Sequence, residues 1–392
     1  MAQSNLADAK NAKNDEFYTQ YSDIEAEMNA YFEYDPDVFR GKTILLPCDD
    51  PEWSNFTKYF AANFERFGIK KLISTSYCKS LGNAKISLFE LNSPKFDADS
   101  HDTRGKVFVL ERDTNSSGRI DYNDIDFEYL KGDGDFRSAE VTELRDEADI
   151  IITNPPFSLF REFLAWIMEG NKKFIIIGNL NTVANRDVFP LFKKNLLWMG
   201  ATCFNGGATY FIGDKQLYDP AKMSSEKNAY IKDDKLYWRV NGVRWYTNID
   251  HGIRHQPLQL MTEQENLKYN KALLNKLKKS YGVDYYPKYC NYDAIEVPLA
   301  TGIPDDYYGE MGVPVSFVDK YCPEQFEIIG IGIGELGKQL NITPIPKEID
   351  ETLPGHSSIW RLYLMNGNTA VVPYSRIIIR RRRSFNENDF NN

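Results

Sequence analysis

The most constraining stretch of the sequence is a short apolar run that ends in two consecutive prolines. Ile150–Ile152 has the composition of a buried strand, and Pro155 with Pro156 prevents that strand from continuing past Asn154. The apolar residues that follow recur at helical spacing, namely Phe160, Phe163, Leu164 and Ile167. The tetrad Asn154–Phe157 is therefore predicted to lie in a strand-to-helix loop, where open α/β sheets bind ligands.

This tetrad suits one chemistry, the methylation of an exocyclic or amide nitrogen. Such a nitrogen is a poor nucleophile because its lone pair is delocalised into a ring or a carbonyl group. The side-chain oxygen of Asn154 and the rigidly directed carbonyl of Pro155 can accept its two N–H bonds and draw it towards tetrahedral geometry. Phe157 offers a flat face for a planar substrate group. The structural alternative is a loop end that only buries this phenylalanine.

An earlier strand-to-helix unit carries two carboxylates in its loop. Residues 43–46 form a short apolar strand, and a segment with an aromatic helical face follows the loop. Asp49 or Asp50 is placed to attract a cation such as the sulfonium or ammonium group of S-adenosylmethionine. Each of them is equally suited to capping the helix.

A turn-rich segment before the proline motif contains Asp135 next to Phe136, a pair suited to the edge and the face of an adenine ring. Strands and helices alternate from Thr43 to about Phe204. This alternation predicts a doubly wound, mostly parallel sheet of the α/β class.

Beyond about Asp214 the chain is rich in tyrosine, tryptophan and lysine. The segment 237–246 resembles a β-hairpin with Asn241-Gly242 at its turn, and Arg239, Arg244 and Trp245 are candidate nucleic-acid contacts. Lys276, Lys278 and Lys279 belong to a basic segment without acids, and Arg376 with Arg380–Arg383 makes a second basic patch. Ordinary exposed sheets and solvated helix faces share these patterns.

Overall charge and cysteine content set broad limits. The 392 residues carry a net charge of 47 − 56 = −9, so binding to nucleic acid has to depend on local basic patches. Five widely spaced cysteines indicate reduced thiols in a cytoplasm. The polar N-terminus and the lack of a long apolar run predict neither export nor a membrane span.

Three further motifs fit known sites less well. Residues 113–124 match the spacing of a calcium loop, but a predicted strand precedes them, and a polar turn is the alternative. His251 and His255 are four residues apart without a glutamate between them, so we predict no metal site there. Gly332–Gly337 fits a dinucleotide fingerprint, but prolines soon follow, at Pro344 and Pro346.

In combination, several segments resemble the EcoRI-like family of adenine-specific DNA methyltransferases. They are NDEFYTQYSDI (14–24), CDDPEWSNF (48–56), GDFRS (134–138), NPPFS (154–158), WYTNIDH (245–251), IPDDYYGEMGVPVSFVDKY (303–321) and PEQFEIIG (323–330). The resemblance implies a Rossmann-like, S-adenosylmethionine-dependent methyltransferase fold with an α+β target-recognition region.

By position, the resemblance also assigns residues to the cofactor and to catalysis. It implies cofactor binding by Phe17, Tyr18, Thr19, Cys48, Asp49, Asp50, Pro51, Asp135 and Phe136, and catalysis by Asn154, Pro155, Pro156 and Phe157. Two features depart from the broader methyltransferase pattern. The first loop lacks Gly-x-Gly, and the second strand ends in Ser74-Thr75-Ser76-Tyr77 without the acid that commonly binds ribose.

Together these observations predict transfer of methyl from S-adenosylmethionine to N6 of a flipped-out adenine in duplex DNA. The alternatives are methylation of RNA or of protein glutamine, or a nucleic-acid-binding scaffold that has lost catalysis. The expected parts are a disordered segment (1–14), a catalytic domain (15–213), a target-recognition region (214–383) and a polar tail (384–392). We expect a cytoplasmic monomer, bacterial or phage-encoded, that accompanies a restriction endonuclease without touching it or acts alone.

Overall fold

A computed structural model describes residues 18–49, 54–78, 95–204, 208–214, 229–232, 235–353 and 358–385. The chain forms two compact units. The first comprises Met1–Asn179 with Gly200–His251, and the second comprises Leu180–Met199 with Gly252–Asn392. The boundary expected at residue 214 falls inside the first unit, and the functional division of the chain stays a prediction.

The described strands, in chain order, are β1 (Tyr18–Thr19), β2 (Thr43–Pro47), β3 (Lys71–Ser76), β4 (Lys106–Leu110), β5 (Asp126–Tyr129), β6 (Ile150–Thr153), β7 (Lys173–Asn179), β8 (Trp198–Cys203), β9 (Ala208–Asp214), β10 (Ala229–Lys232), β11 (Lys235–Val240), β12 (Val243–Thr247), β13 (Ile295–Glu296), β14 (Met311–Pro314), β15 (Phe326–Ile331), β16 (Leu364–Asn366), β17 (Thr369–Val371) and β18 (Arg376–Arg381).

The described α-helices are α1 (Tyr21–Tyr34), α2 (Asn55–Ala62), α3 (Phe64–Phe67), α4 (Ala98–Thr103), α5 (Ala139–Glu147), α6 (Phe160–Glu169), α7 (Phe189–Lys193), α8 (Glu263–Tyr269), α9 (Lys271–Tyr281), α10 (Gly334–Gln339) and α11 (Lys347–Asp350). Within the described ranges, no helix has the length and the apolar character needed to cross a membrane.

The main sheet of the described chain has the strand order β5-β4-β3-β2-β6-β7-β12-β8. Its centre is parallel, because β2 pairs in parallel with both β3 and β6, and β6 pairs in parallel with β7. Every residue of β2 and β6 is buried, as expected for strands covered on both faces. These findings confirm the predicted α/β class with a doubly wound, mostly parallel sheet.

The chain reverses the direction in which it builds this sheet at β2. From β2 it moves to β3 on one side, and it later returns to place β6 on the other side. A crevice forms at such a switch point, outside the carboxyl ends of the strands. The loop after β2 and the tetrad after β6 are therefore brought to the same place.

Aromatic helices cover the sheet. Ser54 caps α2 by accepting a hydrogen bond from the backbone N–H of Phe56 (3.1 Å), and Phe56, Tyr59 and Phe60 are buried below it. The helix ends at Asn63, and α3 then stops at Gly68 in the left-handed conformation (φ 63°). One sequence segment with a single aromatic face thus folds as two short helices on one core.

The predicted hairpin over residues 237–246 is wrong. A tight turn does occur at Asn241-Gly242, where Gly242 has φ 76°, but its two strands enter different sheets. β11 pairs with β9 and β10, whereas β12 pairs antiparallel with β7 in the main sheet. The open edge of a large sheet competed for β12, and local turn preference does not detect that competitor.

A buried carboxylate connects α1 to β8. Glu27 is fully buried, and its Oε1 accepts hydrogen bonds from the Tyr31 hydroxyl (2.9 Å) and the Ala201 N–H (2.8 Å). Its Oε2 accepts from the N–H (2.7 Å) and the hydroxyl (2.5 Å) of Thr202. Burial raises the pKa of the Glu27 carboxyl above its ordinary value, and these four hydrogen bonds oppose that effect.

The second unit contains a four-stranded sheet in the order β13-β14-β18-β15. Glu296, which is fully buried, receives the Arg376 guanidinium (2.8 Å, from Nη2 to Oε1) and the Tyr281 hydroxyl (2.8 Å). The Tyr289 hydroxyl also donates to Glu296, and burial raises the pKa of this tyrosine well above its ordinary value. Both oxygens of the buried Glu296 carboxylate thus have hydrogen-bond donors, as a buried charge pair requires.

The glycine motif at 332–337 lies directly after a strand of this sheet, in surroundings that differ from those of a dinucleotide fingerprint. It follows β15, whose described partner is the antiparallel strand β18, so no βαβ unit is formed there within the described ranges. A Cβ atom at Gly337 would lie 2.5 Å from the carbonyl oxygen of Trp360. Close packing against the Trp360 backbone therefore explains why residue 337 is a glycine.

We predict that Glu27→Gln destabilises the protein by about 1–3 kcal/mol, because the amide N–H₂ would face hydrogen-bond donors in a buried site. Urea unfolding measures this change. Glu25→Gln on the exposed face of the same helix is the matched control and should leave the free energy of unfolding nearly unchanged. Equal stability of both variants would show that the carboxylate contributes nothing specific.

Candidate functional site

The loop after β2 is held against the end of β3 by its backbone. The N–H groups of Cys48 and Asp49 both donate to the carbonyl oxygen of Thr75, at 3.0 and 2.8 Å. Cys48 has φ 93°, a left-handed conformation that non-glycine residues rarely adopt. The chain therefore makes the sharp turn of this loop without the glycines that the broader methyltransferase pattern uses.

The carboxylate of Asp49 lies inside the protein, only 5% exposed, and joins three elements. Its Oδ1 accepts from the hydroxyl of Ser54 (2.6 Å), which also caps α2. Its Oδ2 lies 2.6 Å from the hydroxyl of Thr153, the last residue of β6. Asp49 was predicted to attract the cofactor's positive charge or to cap the helix. The structure places it next to the helix cap, with both carboxylate oxygens bonded.

The backbone of Asp49 is fixed in the same way. Its carbonyl oxygen accepts from the hydroxyls of Thr57 (3.2 Å) and Ser74, which lie 3.0 Å apart. Thr153 additionally lies 2.7 Å from the carbonyl oxygen of Pro47. We call these residues the Asp49 network; its members are Asp49, Ser54, Thr57, Ser74 and Thr153. The network binds together the carboxyl ends of β2, β3 and β6.

The tetrad Asn154–Phe157 begins directly after Thr153. Pro155 is buried, and Asn154, Pro156 and Phe157 are half-buried. The backbone N–H of Leu159 donates to the carbonyl oxygen of Pro156 (2.9 Å), which closes a 3-10 turn before α6. Phe157 packs in part against the core of the first unit. The predicted strand-to-helix loop is confirmed.

Gly134 brings the segment 134–138 to the end of β3. A Cβ atom at this position would lie 2.4 Å from the Ser76 carbonyl oxygen, and φ is 84°, so only glycine fits. The N–H of Cys78 also donates to the Asp133 carbonyl oxygen (2.7 Å). Asp135 is thereby held beside the carboxyl end of the strand that neighbours β2.

The carboxylate of Asp135 remains able to bind a ligand. Arg137 donates to its Oδ1 through the backbone N–H (2.8 Å) and Nε (2.9 Å), and to its Oδ2 through Nη2 (2.6 Å). This guanidinium holds the pKa of Asp135 below its usual value, so the group is ionised at neutral pH. Each carboxylate oxygen accepts about two hydrogen bonds, which leaves one position on Oδ2 for a further donor.

The predicted role of Phe136 in stacking on an adenine is not supported. Its side chain is only 5% exposed and packs edge-on against Phe163 and Trp166, with ring centroids 5.0 and 5.6 Å away. The Arg137 guanidinium lies 5.4 Å from the same ring. The neighbouring helix α6 buries the aromatic face that sequence reasoning left open.

The N-terminal strand β1 lies close to α2. The side chain of Asn55 donates to the carbonyl oxygen of Thr19 (2.7 Å). The hydroxyl of Thr19 is buried and has no hydrogen-bond partner among the described residues. Tyr18 lies in β1, whereas Phe17, Asp50 and Pro51, which were also predicted to bind the cofactor, lie outside the described residues.

The predicted DNA contacts lie in different environments. Trp245 is wrong as a surface contact, because β12 places its indole in the main core, 1% exposed. Arg239 is exposed, and Arg244 is half-buried with a hydrogen bond to the Val243 carbonyl oxygen (2.8 Å). Lys276, Lys278 and Lys279 are exposed on α9, whose Leu273 and Leu277 are buried. These basic residues stay predictions.

Sequence reasoning missed four members of the Asp49 network and Tyr77. Hydroxyl residues at a helix start or a strand end give no periodic signal, so Ser54, Thr57, Ser74 and Thr153 could not be distinguished from ordinary core residues. Tyr77 follows β3 and is 47% exposed. Burial raises the pKa of its hydroxyl, and the neighbouring charges of Asp133 and Asp135 raise it further.

The segment 113–124 folds as a polar turn. Asp113 accepts from the N–H groups of Ser117 (3.2 Å) and Gly118 (2.8 Å), and Asp124 accepts from those of Thr114 (2.8 Å) and Asn115 (3.1 Å). Its carboxylates are therefore directed at the loop's own backbone. In the described part of the chain, no group of three or more histidine, cysteine or acidic side chains is arranged to hold a metal ion.

Comparisons with known proteins match nearly the whole chain. The family model described as "Adenine-specific methyltransferase EcoRI" matches residues 5–382. Type II methyltransferase M.EcoRI of Escherichia coli is 39% identical over 340 residues, covering 86% of this chain and 92% of the relative. Type II methyltransferase M.MpnI of Mycoplasma pneumoniae is 35% identical over 322 residues, covering 82% and 83%. No solved structure matches the chain significantly.

We predict that Thr153→Val destabilises the protein by about 1–3 kcal/mol, because it leaves Oδ2 of a buried carboxylate without its donor. Thr153→Ser retains the hydroxyl and is the matched control, expected to lose less than half as much. Thermal and urea unfolding measure both. Indistinguishable stabilities of the valine and serine variants would exclude this hydrogen bond as a stabilising contact.

Proposed function

Because the chain belongs to the family of adenine-specific methyltransferase EcoRI, we propose that it transfers methyl from S-adenosylmethionine to N6 of an adenine in duplex DNA. One observation supports this most. The tetrad Asn154–Phe157 follows β6, and the loop after β2 lies at the adjacent strand end, so the nitrogen-binding and cofactor-binding segments flank one switch point.

The residues around the switch point fit S-adenosylmethionine, which supplies an electrophilic methyl group when bound. The free position on Asp135 Oδ2 would accept an N–H from the adenine edge. Thr19, whose buried hydroxyl lacks a partner within the described chain, would bind the methionine part, as the family resemblance implies. Tyr77 directly follows β3, the strand whose end commonly carries the acid that binds ribose, and its exposed ring would contact that region.

Asn154 and Pro155 would activate the target nitrogen. The Asn154 side-chain oxygen and the Pro155 carbonyl oxygen accept its two N–H bonds, and this pulls the lone pair out of conjugation with the ring. The nitrogen would then direct that lone pair at the methyl carbon, and one of its two N–H protons would afterwards be released to water. Catalysis here is orientation and electrostatic stabilisation by preorganised acceptors.

Phe157 would hold the flipped base. Its ring is half-buried and packs in part against the core, which would hold it in place for stacking on a planar base at little cost in side-chain entropy. Flipping a base costs a few kcal/mol, and contacts to the DNA must offset this. The exposed lysines on α9 and Arg239 are candidates for those contacts.

The Asp49 network would position the catalytic loop. Thr153 precedes Asn154 directly, and its hydroxyl is joined to Asp49, whose backbone forms the cofactor loop. The buried contact between Thr153 and Asp49 would therefore transmit a displacement of one loop to the other. We assign Asp49 and Thr153 as positioning residues that act through Asn154 and the cofactor loop.

The printed names of the relatives describe Type II methyltransferases. We infer that this protein acts on duplex DNA in the bacterial cytoplasm as a monomer, either alone or alongside a restriction endonuclease that it does not contact. A monomer is sufficient because a hemimethylated site presents one adenine at a time.

We predict that the protein transfers labelled methyl from S-adenosylmethionine to unmethylated genomic DNA, with the label on adenine N6 at one short sequence. Digestion to nucleosides and sequencing that detects modified adenine give the product and the site together. Equal amounts of structured RNA and of a glutamine-containing peptide are the competing substrates. Label in either of them and none in DNA would overturn the proposal.

We further predict that Asn154→Ala lowers kcat about a hundredfold, because one of two preorganised acceptors is removed. This corresponds to an activation free energy that is higher by roughly 3 kcal/mol. Binding of S-adenosylmethionine, measured by calorimetry, should change little. Asn123→Ala in the exposed 113–124 turn is the matched control. Near-normal turnover of a folded Asn154→Ala variant would remove this side chain from the mechanism.

A further inference from the structure

A cluster of arginines around one tyrosine lies at the end of β18. The ring of Tyr308, which is 42% exposed, has the guanidinium carbons of Arg381 and Arg383 at 5.4 and 5.8 Å from its centroid. The Tyr308 hydroxyl also lies 2.9 Å from Arg381 Nη1. We call Tyr308, Arg381, Arg382 and Arg383 the arginine–tyrosine cluster.

The arginines of this cluster lack acidic partners in the described chain. Arg381 donates to the Asp305 carbonyl oxygen, and Arg382 donates through Nε to the carbonyl oxygens of Pro323 (2.8 Å) and Phe326 (3.1 Å). Neutral acceptors orient a guanidinium without cancelling its charge. The positive charges of Arg381, Arg382 and Arg383 are therefore not compensated by an ion pair with any described residue.

Two other arginines of the same strand show the contrast. Arg376 is buried against Glu296, and Arg380 is paired with Glu310 (2.6 Å) and Glu327 (4.0 Å). Both are neutralised within the protein. Among the arginines of β18 and of the two positions after it, the uncompensated ones are thus Arg381, Arg382 and Arg383. The protein as a whole has a net charge of −9.

The register of the strands explains the exposure. The last residue of β18 paired with β14 is Ile379, opposite Met311, so Arg380 and Arg381 extend beyond that neighbour. Arg382 and Arg383 continue past the strand and are exposed. The cluster consequently lies at a sheet corner, where a large partner can approach it.

From this we propose that the arginine–tyrosine cluster binds the phosphate backbone of duplex DNA. Planar guanidinium groups bind phosphate oxygens with two donors at once. Tyr308 supports two of them from one side through cation–π contact, which reduces the entropy that they lose on binding. The inference rests on the proposed DNA substrate and identifies a phosphate-binding surface separate from the lysines of α9.

Arg383→Gln tests this assignment, because the described contact of Arg383 within the cluster is the ring of Tyr308. Binding of the full-length protein to a duplex of about 25 base pairs is measured by fluorescence anisotropy between about 50 and 300 mM salt. We expect affinity to fall several-fold, and equally for duplexes with and without the methylation site. The slope of log K against log salt should decrease by about 0.9, the value for one phosphate contact.

Two variants make the test specific. Arg383→Lys retains the charge and should keep most of the salt slope. Lys347→Gln removes one exposed positive charge that is paired with Glu351, and it should leave the slope unchanged. An Arg383→Gln slope equal to that of the wild-type protein, or a loss of affinity confined to the duplex that carries the methylation site, would overturn the proposal.

The chain's own acidic residues are the competing occupant. Glu387 and Asp389 follow in the sequence, outside the described residues. If they fill the cluster, Arg383→Gln alone will not weaken DNA binding, whereas Glu387→Gln combined with Asp389→Asn will strengthen it by releasing the arginines. That result would show that the tail, and not DNA, occupies the cluster in the wild-type protein, which overturns the proposal for that protein.

Turnover separates this inference from the proposed function. At saturating DNA, Arg383→Gln should retain the wild-type kcat with a raised KM for DNA, because a phosphate contact takes no part in the reaction at the nitrogen. A wild-type protein that methylates DNA while Arg383→Gln binds it normally refutes the cluster alone. A wild-type protein that methylates no DNA refutes the proposed function.

Discussion

The candidate site depends on one buried carboxylate, that of Asp49. A carboxyl group in a protein core is destabilising by several kcal/mol unless hydrogen-bond partners surround it. Here the donors come from Ser54 at the start of α2 and from Thr153 at the end of β6. Satisfying Asp49 therefore requires that α2 and β6 both take their native places, which couples folding of the sheet to formation of the site.

The rest of the site is fixed by backbone geometry with little side-chain freedom. Cys48 keeps a left-handed conformation, Gly134 approaches the Ser76 carbonyl oxygen, and Pro155 and Pro156 hold the candidate catalytic loop. Rigid placement of acceptors is what electrostatic catalysis requires, because polar groups that need no reorganisation stabilise developing charge most effectively. The strained position of Cys48 is consistent with strain being concentrated at functional loops.

The strand β18 uses the same residue type in two ways. Arg376 lies inside the second unit, where Glu296 satisfies it beside two tyrosines, while Arg381 and the residues after it keep their charge at the surface. Position along the strand decides between these roles, because the neighbouring strand β14 ends at the register of Met311 and Ile379. A protein with a negative net charge can thereby present a local positive surface.

Sequence alone was sufficient where local constraints dominate. The apolar run Ile150–Ile152, the prolines after it and the helical spacing beyond predicted the strand, the loop and α6, and the alternation of elements predicted the parallel sheet. These features follow from backbone sterics and from hydrophobic periodicity, which act over a few residues. Local pattern was therefore enough to place the candidate catalytic loop between its strand and its helix.

Tertiary structure decided the features that depend on distant partners. It moved Trp245 into the core by pairing β12 with β7, buried Phe136 under α6, and turned Asp49 inward to meet Thr153, 104 residues away in sequence. It also separated Arg376 from the exposed arginines that follow. Burial and charge compensation are set by residues brought together in space, and sequence spacing carries no record of which distant side chains those are.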